Sequence, residues 1–262
     1  MRIGFYQFFP IFGKKVKNLK KIEETLAKVN VDLIVLPELC STGYSFLSRQ
    51  ELSKYAETIP AGETTQTLIN IARKKNLCIV AGLAERYDNH IYNSAVLVKP
   101  DGKVKIYRKA HLFYKEKFIF NKGNTKFLVH SFNNIKIGVL ICFDYIFPEA
   151  TRSLALAGAQ IICHPSNLIL PYAQKATITR AIENRVFFIM ANRVGQEKRG
   201  SKHLKFNGRS QIISPDGEIL VKAGPKEEKV KIVNIKPELA LDKLITPYND
   251  VIKDRRTELY SK

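Results

Sequence analysis

The chain has 262 residues, of which 45% are hydrophobic, and no Pro- or Ser-rich linker divides them, so we expect a single domain over residues 1–262. The excess of 43 basic over 24 acidic residues invites nucleic-acid binding, but the lysines are scattered and form no recognised binding motif, so we expect no specific nucleic-acid partner. The four cysteines show neither metal-ligand spacing nor a dense disulfide pattern, which is typical of the reducing cytoplasm.

The first predicted elements lie before residue 45. Residues 1–12 are apolar but too short to span a bilayer, and they lack a signal peptide's charged start and cleavage site, so we interpret them as a first core strand and expect no membrane partner. Residues 14–29 carry apolar side chains at three- and four-residue steps, which predicts an amphipathic helix. A second apolar strand begins near residue 32 and presents Glu38 before a turn at Gly43.

The middle of the chain is predicted to continue with a helix over 64–75 and strands over 77–84, 91–98 and 104–108. Lys109 follows the last of these strands directly, and an aromatic stretch comes after it. Another apolar run then breaks at Cys142, and Pro148 is placed to start a helix soon afterwards. This arrangement puts a thiol at the end of a buried strand.

The remaining predicted elements are helices over 148–157 and 173–184 and strands over 160–163, 186–191, 211–214 and 218–221. The sequence Pro-Asp-Gly occurs at 100–102 and again at 215–217, each time between two strands. Such tripeptides form tight turns, so each predicts an antiparallel hairpin. Hairpins among alternating helices and strands indicate mixed sheets in an α/β fold.

Three reactive side chains therefore stand at the ends of predicted strands. A buried cysteine by itself is more often a small core residue than a nucleophile. In sheets flanked by helices, however, functional sites gather just beyond the strand ends. Glu38, Lys109 and Cys142 brought to one such rim would supply a base, an electrostatic clamp and a nucleophile.

The residues around these three positions resemble the signatures of the nitrilase superfamily, the carbon-nitrogen hydrolases. The matching segments are Leu36-Pro-Glu38, Arg108-Lys109-Ala-His-Leu-Phe and Ile141-Cys142-Phe-Asp-Tyr-Ile-Phe-Pro-Glu149, in the family's order and across nearly the whole chain. The resemblance implies a four-layer alpha-beta-beta-alpha sandwich with a Glu-Lys-Cys triad. It also implies a second glutamate, matched by Glu116, and a homodimer or higher homo-oligomer, in which we expect the tail 247–262 to pack on a partner subunit.

The chemistry of these groups predicts a cysteine-dependent hydrolase of non-peptide C–N bonds. Only the thiolate attacks, so Glu38 is expected to take the thiol proton, and Lys109 with the backbone N–H of Phe143 to stabilise the oxyanion. We expect Glu116 to position Lys109 or the substrate amide. The favoured reaction converts a small amide to a thioester on Cys142 and ammonia, then to the acid. The alternative is a nitrilase acting through a thioimidate on the same thiol.

Substrate contacts are predicted from residues near the motifs. Tyr44 follows the Gly43 turn, and Asn167 ends the strand after the cysteine helix. Aromatic and apolar residues beside the motifs would line an apolar pocket, although each of them equally fits an ordinary core. The predicted substrate-binding residues are Tyr44, Phe113, Tyr114, Phe143, Tyr145, Ile146 and Asn167.

Other functional classes find less support. The glycines form no dinucleotide-binding or P-loop motif, and no serine stands in a nucleophile elbow. The five histidines show no metal-ligand spacing, so we expect neither a metal nor an organic cofactor and interpret His111 as a structural or pocket-wall residue. Two remote alternatives are a nucleic-acid-binding protein and a catalytically silent dimeric interaction module.

Overall fold

The computed structural model describes residues 1–260 of the chain, apart from the side chain of Lys202. Its α-helices, in chain order, are α1 (Lys15–Ala27), α2 (Arg49–Ser53), α3 (Glu63–Lys75), α4 (Glu116–Ile119), α5 (Pro148–Leu156) and α6 (Ala173–Asn184). Short 3-10 helices lie at Cys142–Ile146, Pro237–Ala240 and Thr257–Leu259. Across residues 1–260, no helix combines the length and the apolar character needed to cross a membrane.

The strands, in chain order, are β1 (Arg2–Gln7), β2 (Leu33–Val35), β3 (Cys78–Tyr87), β4 (His90–Val98), β5 (Val104–Arg108), β6 (Val129–Phe132), β7 (Ile135–Val139), β8 (Ile161–Ser166), β9 (Phe187–Asn192), β10 (Gln196–Arg199), β11 (Lys202–Lys205), β12 (Gln211–Ile213), β13 (Ile219–Lys222), β14 (Lys229–Asn234), β15 (Leu244–Thr246) and β16 (Asn249–Asp250). They form two six-stranded sheets, with the spatial orders β14-β1-β2-β3-β4-β5 and β13-β12-β9-β8-β7-β6, and two separate hairpins, β10–β11 and β15–β16.

Both large sheets are mixed and share one plan. Strands β1, β2 and β3 run parallel in the first sheet, as do β7, β8 and β9 in the second, while the outer strands pair antiparallel. Helices α1 and α3 cover the first sheet, and α5 and α6 lie against the second. The two sheets pack face to face, with β1, β2 and β3 against β8, β9 and β12. This is the four-layer sandwich of mixed sheets that the sequence predicted.

The strands at the centre of the first sheet are apolar on both faces. In β2, Leu33 and Val35 belong to the core between the sheets, whereas Ile34 packs with Leu19 and Ile22 of α1. Successive side chains of a strand point to opposite faces, so a strand buried on both sides needs an unbroken apolar run. Burial on both faces therefore explains the apolar run that predicted a strand near residue 32.

The predicted elements are confirmed in type and order, with small differences at their ends. The strand predicted over 160–163 continues to Ser166, because the parallel pairing of β8 with β9 runs through Pro165 to the pair Ser166 and Asn192. Helices α2 and α4, strands β6 and β14, and the hairpins β10–β11 and β15–β16 were not predicted. Of the predicted partner-binding tail, residues 247–260 are described, and residues 261 and 262 lie outside the described residues.

Gly82 of β3 is packed directly against the chain at Glu38. A Cβ added at residue 82 would lie 2.5 Å from the Glu38 Cα and 2.9 Å from the Leu39 nitrogen. We expect Gly82→Ala to lower the free energy of unfolding by about 1–3 kcal/mol, measured by urea denaturation, because the opposing atoms are backbone atoms that cannot rotate away.

The matched control for this substitution is Gly224→Ala. The nearest atoms to a Cβ at residue 224 belong to the flexible Glu227 side chain, at 3.6 Å. We expect this variant to change the free energy of unfolding by less than about 0.5 kcal/mol. An equal effect of the two substitutions would contradict the packing argument.

Candidate active site

Glu38 lies just beyond the end of β2, in a segment held against β3. Gly82 N donates to Pro37 O at 3.1 Å, and Cys40 N donates to Gly82 O at 3.0 Å, so the backbone is tied on both sides of the glutamate. The carboxylate is fully buried, and its Oε1 accepts a hydrogen bond from Asn93 Nδ2 at 2.6 Å. Within residues 1–260, Oε2 has no hydrogen-bond partner.

Lys109 is the first residue after β5, and its side chain is fully buried. Its Nζ lies 2.7 Å from Glu38 Oε1 and 2.8 Å from Glu116 Oε2. Glu116 begins α4 and is itself buried, and its Oε2 also accepts a hydrogen bond from Phe113 N at 2.8 Å. One ammonium therefore stands between two buried carboxylates that come from different parts of the chain.

The charges of this cluster determine the protonation state of Lys109. Burial by itself lowers the pKa of Lys109, but the nearby Glu116 and Glu38 carboxylates outweigh it and raise that pKa above its ordinary value. Burial raises the pKa of Glu116, and the Lys109 ammonium opposes this shift. Lys109 consequently remains a cation at neutral pH and acts as a hydrogen-bond donor rather than as a base.

Cys142 begins the 3-10 helix after β7, with a φ of 43°. This left-handed backbone conformation is uncommon for a residue other than glycine, and strain of this kind concentrates at functional sites. The Cys142 carbonyl lies 2.7 Å from His164 Nε2, which must carry a proton here because a carbonyl can only accept. The buried His164 ring therefore supports the left-handed backbone conformation of Cys142.

The Cys142 thiol is buried and stands in the field of the charged cluster. Burial, followed by the Glu38 carboxylate, raises its pKa well above the ordinary value, and the Lys109 ammonium opposes this only in part. A thiolate would add a second negative charge to a cluster that already carries one when both glutamates are ionised. The resting cysteine is therefore a neutral thiol.

Asp144 joins the 3-10 turn to the segment around Lys109. Its Oδ2 accepts hydrogen bonds from Ile141 N at 2.9 Å and from Tyr107 Oη at 2.8 Å, and its Oδ1 accepts from His111 N at 3.1 Å. The His111 ring nitrogen Nδ1 lies 2.8 Å from the same Oδ1. Tyr107 and His111 flank Lys109 by two residues on either side, so one buried carboxylate fixes the lysine segment relative to the cysteine turn.

Asn167 follows β8 and reaches the same place from the other sheet. Its Nδ2 donates to the Glu38 carbonyl oxygen at 2.9 Å, and its backbone N–H partly opposes the rise in the Cys142 pKa. Strand ends of both sheets therefore meet at one rim. The structure brings Glu38, Lys109, Cys142 and Asn167 together, and Glu116 joins them through Lys109.

A cavity of about 310 Å³ opens beside Glu116, and apolar side chains form most of its wall. Three of the residues expected to bind substrate, Tyr44, Phe113 and Tyr114, line this cavity. Tyr44 lies close to the charged cluster: burial, and then Glu116 and Glu38, raise the pKa of its phenol well above the ordinary value. The Tyr114 side chain lies at the surface.

A much smaller cavity, of about 10 Å³, borders Cys142. Phe143, Tyr145 and Asn167 line it, so these predicted residues surround the thiol. Ile146 differs: it is partly buried, packs against the core between the sheets and does not line either cavity. The larger cavity of about 980 Å³ elsewhere in the molecule borders none of the charged side chains of the cluster.

Sequence reasoning missed several residues that hold the site. Asn93 carried a signal, since it is a polar residue inside an otherwise apolar strand. Asp144 lies within a recognised segment, but no pattern indicated its partners. His111 was expected to be structural or to line a pocket, and it is a structural contact that binds Asp144 and stacks on Phe147 at 3.7 Å between ring centroids. In the part of the chain that the structure describes, no cluster of three or more His, Cys, Asp or Glu could hold a metal ion.

Comparisons with known proteins show which family this chain matches. Residues 9–241 match the family model described as carbon-nitrogen hydrolase. A protein named nitrilase from Pyrococcus abyssi (strain GE5 / Orsay) is 46% identical over 263 residues and covers 99% of each chain. An (R)-stereoselective amidase from Pseudomonas sp. is 34% identical, over 99% of this chain and 93% of its own.

Among solved structures, a mutant of the amidase from Nesterenkonia sp. AN1, with acrylamide added at its active-site cysteine, is similar at a TM-score of 0.81 and 26% identity. The match covers 99% of this chain and 98% of that one. The matched model spans most of the chain, and two relatives exceed 30% identity over nearly its full length. The chain belongs to the carbon-nitrogen hydrolase family.

Proposed function

We propose that this protein is a cysteine-dependent amidase that releases ammonia and a carboxylic acid from a small amide. The observation that carries the proposal is the buried Lys109 ammonium, held at 2.7 and 2.8 Å by Glu38 and Glu116 beside the Cys142 thiol. The cluster offers a donor for a developing oxyanion, a carboxylate able to take a proton, and a nucleophile. We place the acyl group of the amide in the cavity of about 310 Å³, which shares Phe113 and Ile169 with the small cavity at Cys142.

In the proposed first step, Glu38 takes the thiol proton as sulfur attacks the amide carbonyl. Its Oε1 is occupied by Asn93 and Lys109, whereas its Oε2 has no partner within residues 1–260, so Oε2 is the basic atom. The high pKa of the Cys142 thiol in its buried, acidic surroundings makes such a base necessary.

The carbonyl oxygen becomes negative in this step, and Lys109 with the backbone N–H of Phe143 is proposed to stabilise it. Glu38 then passes its proton to the amide nitrogen, the C–N bond breaks, and ammonia leaves a thioester on Cys142. Water, deprotonated by Glu38, attacks the thioester. The carboxylic acid departs, and the sulfur recovers a proton from Glu38, which returns the site to its starting state. Glu116 keeps Lys109 in place throughout.

A nitrilase is the second candidate, supported by the name of the relative that is 46% identical. A nitrile would give a thioimidate on the same thiol. We favour the amide because the similar solved structures include an amidase with acrylamide added at its active-site cysteine. The relative named (R)-stereoselective amidase also supports the amide.

The proposal extends to the state of the protein in the cell. We propose that the chain works as one domain, as a homodimer or higher homo-oligomer in the cytoplasm, with its C-terminal tail on a partner subunit. The unpaired state of all four buried cysteines supports a reducing compartment. Three exposed apolar side chains of the tail, Tyr248, Leu259 and Tyr260, support a covering partner.

Removal of the thiol tests the reaction itself. We expect Cys142→Ala to lower ammonia release from short amides by at least about 10³-fold, since water must then replace an oriented nucleophile. The measurement is ammonia release across dicarboxylic monoamides, carbamoyl amines, simple amides and nitriles. Cys78→Ala removes a buried thiol outside the site and is the control. Equal activity of the two variants would contradict a role for Cys142.

Removal of the ammonium tests the oxyanion contact. We expect Lys109→Met to lower kcat by about 10²–10³-fold, the usual effect of losing one such donor. Lys117→Met is the control, because Lys117 is close in sequence but exposed and does not line the cavity of about 310 Å³. Steady-state kinetics on an amide that the wild type accepts makes the comparison, and a change confined to KM would argue against transition-state stabilisation.

The pH dependence of thiol modification tests the electrostatic argument. Burial and Glu38 raise the pKa of Cys142, so the rate of alkylation by iodoacetamide should keep increasing above pH 9 instead of levelling off. Mass spectrometry of the modified Cys142 peptide follows the rate between pH 6 and about 10. A plateau reached below pH 7 would indicate a preformed thiolate and remove the need for Glu38 as base.

A further inference from the structure

Glu197 of β10 is a buried carboxylate that the proposed reaction does not use. It is 4% exposed and forms an ion pair with Arg193, whose side chain is fully buried. Arg193 also donates to the carbonyl of Pro10 at 3.0 Å, and its guanidinium lies 4.1 Å from the ring centroid of Phe206. These contacts hold the Glu197 carboxylate in a fixed position beside the Arg193 guanidinium.

The Glu197 carboxylate holds the backbone of one wall of the 310 Å³ cavity. Its Oε2 accepts a hydrogen bond from Ser45 N at 2.7 Å, and both of its oxygens lie 3.2 Å from Tyr44 N. Gly43 adopts a φ of 82°, and a Cβ there would lie 2.9 Å from Glu197 Oε1, so the carboxylate packs directly on the turn. Hydrogen bonds to a charged acceptor are among the stronger ones in proteins.

Another part of the cavity lining belongs to the same hairpin as Glu197. In the pairing of β10 with β11, Glu197 lies directly opposite Leu204, and Leu204 lines the cavity. Paired residues of a hairpin project to the same face. Glu197 thus connects the Leu204 wall to the wall formed by Tyr44 and Ser45.

Stability alone is a weak explanation for this arrangement. A buried ion pair is often no more stabilising than a well-packed apolar pair, because both charges must leave water. A carboxylate does, however, provide what an apolar group cannot, namely two acceptor oxygens for adjacent backbone N–H groups. The hydrogen-bonding pattern of Glu197 therefore indicates a role in placing Tyr44 and Ser45.

We propose that Glu197, supported by Arg193, is a positioning residue that sets the width of the cavity between Tyr44 and Leu204. The inference rests on the proposed function, in which this cavity receives the acyl group of the amide. Glu197 acts through Tyr44 and touches no reacting atom. It determines how well an acyl group that fills the cavity is held, and it has little influence on an acyl group too small to reach both walls.

The first test compares acetamide with phenylacetamide as substrates of Glu197→Gln. We expect kcat/KM for phenylacetamide to fall by about 10-fold or more, mainly through KM, while kcat/KM for acetamide changes less than about threefold. Glu197→Asp keeps the charge that Arg193 needs but shortens the side chain. It should show the same selective loss if Glu197→Gln does not fold.

A double variant separates positioning from general destabilisation. Because Glu197 acts through Tyr44, Glu197→Gln should have little further effect on phenylacetamide turnover in a Tyr44→Ala background, giving strongly non-additive losses. Equal losses for both amides, or losses that add in the double variant, would overturn the proposal.

A second readout needs no turnover. The rates at which iodoacetamide and the bulkier iodoacetanilide alkylate Cys142 share the same thiolate fraction at one pH, so a change in their ratio reports a change in access to the thiol. We expect their ratio to shift toward iodoacetanilide by about threefold or more in Glu197→Gln, because the walls are no longer held together. An unchanged ratio would overturn the proposal. A shifted ratio in a protein that hydrolyses no amide would support the positioning role and overturn the proposed function instead.

Discussion

A lysine ammonium buried between two carboxylates is the interaction on which this site depends. Removing charged groups from water costs several kcal/mol for each ion, and only close pairing with further hydrogen bonds offsets that cost. Lys109 therefore requires both Glu38 and Glu116, and each must arrive with little freedom. The sandwich meets this requirement by delivering Glu38 from the end of β2 and Lys109 from the end of β5, while Phe113 N orients the Glu116 carboxylate at the start of α4.

Rigid elements and a few buried polar bridges then place the cysteine against the cluster. The second sheet supplies the turn after β7, and its left-handed start at Cys142 is held by the His164 ring. Asp144 ties this turn to both flanks of Lys109, and Asn167 ties it to Glu38. Each bridge joins segments that are far apart in sequence. A displacement in one sheet would consequently alter the separation of base, ammonium and thiol.

The same charges that keep Lys109 protonated also oppose a resting thiolate. Burial, and then the two carboxylates, raise the pKa of the Cys142 thiol, so the site holds a neutral nucleophile and needs proton transfer at the moment of attack. The unpartnered Oε2 of Glu38 fits that need. Around this chemistry the cavity wall is mainly apolar, and Glu197 fastens Tyr44 and Ser45 to the β10–β11 hairpin. Two buried carboxylates therefore surround Lys109, and a third one holds the backbone of the cavity wall.

The sequence by itself determined the order of strands and helices, the mixed character of the sheets and the reactive residues at the strand ends. Periodicity and turn tripeptides report which faces are buried and where strands stop, and those are local properties. Only the tertiary structure decided which residues Asn93, Asp144 and Glu197 contact. It also decided that Ile146 packs in the core while Tyr44 lines the cavity. Contacts of this kind join residues distant in the chain, and their geometry is set by how two sheets pack, which no local pattern encodes.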